Sequence, residues 1–149
     1  MLKVAVVIAI IGTAYAGIYS LMCITIPKAM LGSTVKAVTG KDLDSIDEGS
    51  LKALLGRQRN IGLYALVAVI CFFFILIVGF RKAEKWAWWA FLIGGGIAWL
   101  WGVIYALAIG NKLHILLQAI GIVVFIVAVL LPVKVFFAKA AEEAPQEAQ

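Results

Sequence analysis

The chain has 149 residues, of which 64% are hydrophobic, well above the roughly 45–50% of a soluble domain. A soluble fold of this size could not hide so much apolar surface, and disordered chains are poor in such residues. The formal charge of +5 comes from 13 Lys and Arg against 8 Asp and Glu. The basic residues flank apolar runs and form no stripe interleaved with aromatics, which excludes a nucleic-acid role.

Four runs carry no charge, 4–27, 60–80, 86–111 and 115–133, and their lengths predict transmembrane helices over about 4–27, 60–80, 86–110 and 114–136. A helix rising 1.5 Å per residue needs about 20 residues to cross about 30 Å of hydrocarbon. The runs are continuous rather than alternating, which favours helices over a barrel. The expected fold class is all-α: one domain over 1–137, an integral membrane bundle of four antiparallel helices, followed by a disordered polar tail over 138–149.

In chain order, Met1-Leu2-Lys3 and Ala14-Tyr15-Ala16 look like parts of a signal peptide. The apolar run continues through Ile18, Leu21, Met22 and Ile26, past the 7–15 residues of a signal core, so a retained span is expected. Pro27 should end it. In loop one, Ser45 and Glu48 have the spacing of a capping box. Leu51, Leu54 and Leu55 then share one face, which predicts an amphipathic surface helix up to Gly56 that lies over the bundle as a lid. Between spans two and three, Arg81, Lys82 and Lys85 crowd a tight turn, and Trp86, Trp88 and Trp89 follow as interface anchors.

Span three carries Ala90, Gly94, Ala98, Gly102, Ala106 and Gly110, each four residues after the last. Such a stripe of small side chains lets helices approach closely in lipid, and it is the expected packing face. Ala5, Ala9, Thr13 and Gly17 form a shorter version in span one. Lys3, the Arg81 to Lys85 turn, Lys134 and Lys139 favour cytoplasmic termini. Lys28, Lys36, Lys41, Lys52, Arg57, Arg59 and Lys112 oppose this, but density at the tight turn decides for both termini inside. The expected localisation is the plasma membrane, multi-pass.

The chemistry is sparse. No Asp, Glu, Lys, Arg or His lies inside the charge-free runs, which argues against proton relays and ion sites. Cys23 and Cys71 lie about 10 Å apart in depth at 1.5 Å per residue, too far for a disulfide, and both read as small buried residues. His114 is the only imidazole, and no ligand set for a metal or haem surrounds it. No cofactor is expected, and no complete catalytic set can be assembled. An antiparallel path brings Tyr19, Ser20 and Thr25, Arg57, Asn60 and Tyr64, Trp101 and Tyr105, and His114 and Gln118 to one membrane face. Tyr19, Arg57, Asn60, Tyr64, Trp101, Tyr105, His114 and Gln118 are therefore the candidate ligand-binding residues, lining a polar, aromatic cavity suited to an amphiphile.

Arg59-Asn60-Ile61-Gly62-Leu63-Tyr64, Lys85-Trp86-Ala87-Trp88-Trp89, and Gly102-Val103-Ile104-Tyr105 with Lys112-Leu113-His114-Ile115-Leu116-Leu117-Gln118 resemble segments of the DoxX-like four-helix membrane proteins. That resemblance implies a four-helix bundle, and some members of the group are associated with quinone-linked sulfur oxidation. This chain has no charged residue within span one and no thiol pair, so the redox activity does not carry over. The glutathione-linked MAPEG enzymes place Arg and Asn near the start of span two, followed by an acid; here Arg57 and Asn60 are followed by Leu63. Two functions follow as expectations: a structural or accessory subunit in a homo-oligomer or larger membrane complex, or a lipid- or quinone-binding protein, in some form an oxidoreductase-associated subunit. Membrane lipid is the expected partner in either case.

Overall fold

The computed structural model describes residues 1–143. Its regular structure among those residues is all helical: α1 (Leu2–Thr25), α2 (Pro27–Thr39), a 3-10 turn (Leu43–Ser45), α3 (Glu48–Val78), a second 3-10 turn (Phe80–Lys82), α4 (Lys85–Ile109), α5 (Lys112–Leu130) and α6 (Val133–Glu143). Four helical stretches are long and apolar enough to cross a membrane: Leu2–Thr25, Glu48–Lys82, Lys85–Ile109 and His114–Ala138.

The breaks have local causes. Span one stops at Thr25, and Pro27 opens a new helix at its first position, where the missing N–H costs nothing. This helix, α2, buries Pro27, Leu31 and Val35, spaced by four, and leaves Lys28, Ser33 and Lys36 exposed. The separate helix expected to run from Ser45 to Gly56 is not a separate element. Ser45 Oγ instead donates back to the Asp42 carbonyl at 2.7 Å. Asp47 is the N-cap, its carboxylate accepting the Ser50 N–H at 2.9 Å, and α3 then runs unbroken for 31 residues. No proline interrupts it, and Gly56 alone costs only about 1 kcal/mol in a helix interior. At 1.5 Å per residue α3 is about 46 Å long, so its first turns extend past a hydrocarbon layer of about 30 Å.

At the far end of α4, Gly110 takes φ 70° and its N–H donates to the carbonyls of Ala106 and Leu107, a left-handed cap that suits glycine. The next residue, Asn111, caps α5 by accepting the His114 N–H at 3.3 Å. Pro132 separates α5 from α6, removing one backbone donor from the helical ladder. The polar tail expected from 138 onward is helical through Glu143 as part of α6; 144–149 lie outside the described residues.

Neighbouring helices meet in a consistent order. On α1 and α3, Gly17 faces Val69 while Gly62 faces Ser20 and Cys23. Gly102 faces Gln118 and Gly95 faces Phe125 across α4 and α5. At Gly62 the α1 and α3 backbones come so close that an added Cβ would sit 2.8 Å from the Ser20 carbonyl oxygen. The small residues of span one (Ala5, Ala9, Thr13 and Gly17) are all buried.

The main core gathers at the tight-turn end. Ala5, Ala9, Leu76, Phe80, Ala87, Trp88, Phe91, Phe125, Ala128, Val129 and Phe136 form one buried cluster. Its rings interlock, with centroids 5.3 Å apart for Phe80–Phe91, 4.9 Å for Phe80–Phe136 and 5.5 Å for Phe91–Phe125. Trp88 belongs to this core rather than to an interface belt. It is buried, and its Nε1–H donates to the Val129 carbonyl at 3.1 Å. That carbonyl is among the last four of α5, which lack a partner within their own helix. Trp86 and Trp89 remain exposed, as anchors would be.

The four-spaced stripe on α4 does not form a single packing face. Each step of four residues turns about 40°, so five steps wind about 200° around the helix. Gly94 receives the ring of Phe72 and Gly102 the end of Gln118, and Ala106 is fully buried. Ala90 is half-buried and Ala98 exposed, while Gly110 is the helix cap. Two glycines off the stripe do comparable work: Phe125 fills the notch at Gly95, and Trp99 fills that at Gly121. Large rings set into glycine notches, rather than small residues against small residues, join α4 to its neighbours. Cys23 is buried as expected, but Cys71 is exposed on the outer surface of α3; both thiols are free.

Candidate functional site

A cavity of about 230 Å³ lies between α1, α3, α4 and α5. Its lining runs from Ile8 to Ser20 on α1 and from Ala128 back to His114 on α5. The α5 stretch corresponds to about 20 Å of helix, so the space is elongated. One pole is apolar, formed by Ile8, Phe72, Phe91, Val124 and Phe125. The other carries Tyr15, Tyr19, His114 and Gln118, with Trp99 between the two. None of the described lining residues is charged.

The polar pole is built from helix ends. Capping by Asn111 fixes the first turn of α5 and with it His114, which is only 7% exposed. Tyr19 Oη lies 2.8 Å from His114 Nε2 in a hydrogen bond that ties α1 to α5, the rings meeting edge to face with centroids 6.0 Å apart. Gln118, one turn further along α5, rests its amide on Gly102. One turn from Tyr19, Cys23 accepts a hydrogen bond from Gln58 Nε2 at 3.2 Å. Thr13 and Ser20 also face the cavity, but their hydroxyls donate to the Ala9 and Ala16 carbonyls of their own helix, both at 2.8 Å. Their donors are thus taken. Tyr15, Tyr19, His114 and Gln118 are the polar side chains available to a guest.

Of the eight candidate residues, the structure brings three together: Tyr19, His114 and Gln118. The other five stand outside the cavity lining. Tyr64 is 75% exposed, Trp101 67% and Tyr105 47%, and Arg57 and Asn60 are exposed as well. Helical phase is the reason. The inner face of α3 is marked by the buried Gly62, Val69 and Leu76. At about 100° per residue, Asn60 and Tyr64 lie about 160° from Gly62, and Arg57 about 140°. The polar residue of α3 that does turn inward is Gln58, about 40° from Gly62 and bonded to Cys23. On α4, Trp99 is the inward tryptophan, not Trp101.

Residue type alone missed Tyr15, Trp99, Phe91 and Phe125 as lining residues. Two patterns carry a usable signal: Tyr15 and Tyr19 are one turn apart, and glycines at 95 and 121 mark where rings from the facing helix must enter. Compared with protein-family models, with curated proteins and with solved structures, the chain matches none.

Proposed function

We propose that this chain is a multi-pass membrane protein with four antiparallel spans that binds an uncharged amphiphile in the cavity between them. In this reading α2 and the first turns of α3 lie at the membrane surface, both termini are cytoplasmic, and the polar pole belongs to the outer leaflet. The density of Arg81, Lys82 and Lys85 at the tight turn supports that orientation.

The observation that carries the proposal is the polarity of the cavity along its length. Aromatic and aliphatic side chains line one pole; Tyr19, His114 and Gln118 offer hydrogen bonds at the other. A hydrocarbon tail fits the first environment, and a hydroxyl or carbonyl head the second. A charged head would find no counter-ion among the lining residues, and an unpaired charge at membrane depth is costly. Neutral isoprenoid quinones and neutral glycerolipids both satisfy this description.

The test is a mass-spectrometric inventory of lipid extracted from protein purified in mild detergent. One uncharged amphiphile at near-stoichiometric amount is the expected result, with at least a tenfold loss in a Tyr19→Phe, Gln118→Leu double variant. Bulk phospholipid alone, unchanged by the substitutions, contradicts it. A stoichiometric protein partner in place of any amphiphile would move the reading to an accessory subunit of a membrane complex.

A further inference from the structure

The helices around the cavity are not equally closed. Contacts of α3 with α4 gather at the tight-turn end, where Gly79 meets Ala87 and Trp86 and where Phe72 packs on Phe91 and over Gly94. Further from that turn, Ala65 and Ala68 on α3 and Ala98 on α4 edge the cavity. Ala68 and Ala98 are exposed although they belong to its lining. Their short side chains leave a slot between two helices whose outward neighbours, Val67, Ile97 and Trp101, are apolar and exposed. By contrast, the loop-one end is covered. There α2 packs its buried Pro27, Leu31 and Val35 against the bundle, touching α1, α3 and α4.

We propose that the cavity is loaded sideways from the bilayer, through the slot between α3 and α4 at Ala68 and Ala98, and not from the aqueous phase past α2. This inference rests on the amphiphile-binding reading and narrows its ligand: the guest is a resident of the membrane, whose tail need never cross water. Sideways passage also suits the cavity's polarity. A head moving in past Ala68 and Ala98 meets Gln118 and the Tyr19–His114 pair without dragging its chain through the polar pole. Two alanines at the slot make a low sill on helices whose neighbouring positions are large and apolar.

The experiment uses the full chain in phosphatidylcholine vesicles with radiolabelled monoolein as probe. Label retained by the protein on an affinity column is followed after a chase with unlabelled monoolein. An Ala68→Leu, Ala98→Leu double variant narrows the slot. In a Cys71→Ser background, Ser33→Cys on the exposed side of α2 carries a polyethylene glycol maleimide that obstructs the aqueous end. The expected result is an exchange half-time lengthened at least tenfold in the alanine variant and unchanged by the polymer on α2. Unchanged exchange in the alanine variant overturns the proposal, as does slowing by the polymer. Loss of final occupancy in the alanine variant also overturns it, because the two alanines would then bound the binding volume rather than its mouth. A wild-type chain that retains no label removes the amphiphile-binding reading itself.

Discussion

The two ends of the bundle solve the packing problem differently. At the tight-turn end Phe80, Phe91, Phe125 and Phe136 interlock, Trp88 reaches the last turn of α5, and α3 and α4 are held together by a short turn. Toward the loop-one end α1, α3, α4 and α5 keep a cavity that begins at Phe91 and Phe125 and is bridged by the Tyr19–His114 hydrogen bond, with α2 packed on α1, α3 and α4. Lipid offers little hydrophobic drive for helices to associate, so close packing must supply the stability. Rings seated in glycine notches do so at one end. Elsewhere alanines take the place of such pairs: Ala65, Ala68 and Ala98 line the cavity.

That contrast predicts unequal responses to substitution. Phe80→Ala should have the largest effect. Phe80 is fully buried between Phe91 and Phe136, and the cavity left behind should cost about 3 kcal/mol, read as a lowered thermal midpoint in detergent. Tyr19→Phe at the other end leaves the buried His114 without its partner and should lower the midpoint less, at a cost of about 1–2 kcal/mol.

Paired glycine substitutions sharpen the comparison. At Gly95 a side chain meets the ring of Phe125, and at Gly102 it meets the flexible end of Gln118. Gly95→Leu should therefore destabilise by about 2 kcal/mol, within the range for overpacking, and Gly102→Leu by clearly less. Equal losses in denaturant titrations would mean that both ends are packed alike. A smaller effect is expected of Trp88→Phe, which keeps most of the ring but removes the donor to the Val129 carbonyl. The loss should be about 1–2 kcal/mol, with faster amide exchange near the α5–α6 corner.

The smallest effect concerns α3 where it leaves the membrane. Hydrogen bonds from Ser50 hold the Asp47 carboxyl below its ordinary value. A carboxylate pKa lowered by folding stabilises the helix above the unfolded value and loses that contribution as pH falls through the folded one. The first turn of α3 should thus fray only below about pH 4, seen as faster exchange of the Ser50 amide. Asp47→Asn should flatten that pH dependence.

Much of the architecture was legible because span length and charge are one-dimensional properties. The four apolar stretches, the small face of α1 and the tight turn at Arg81 all follow from them. Part of the grouping was legible as well: Tyr19, His114 and Gln118 do line one cavity. What the sequence pattern conceals is rotation about each helix axis. Arg57, Asn60 and Tyr64 share a face, but Gly62 shows that face to be the outer one. The same uncertainty made Trp88 look like an anchor and the α4 stripe like a single seam. Capping was misassigned for a simpler reason: Ser45 and Asp47 both precede the helix, and only backbone geometry decides which side chain reaches an amide.

The most direct test of a guest-sized space at the loop-one end is the stoichiometry of monoolein bound in vesicles, measured for the wild-type chain and for Ala16→Phe. Ala16 is half-buried on α1 and lines the cavity, so a phenyl ring there should occupy the space without disturbing the aromatic core. The expected result is close to one probe per wild-type chain and background binding in Ala16→Phe, with the same helix content and an equal or higher thermal midpoint. Equal binding by both proteins would place the probe on the outer, lipid-facing surface and contradict the cavity as its site.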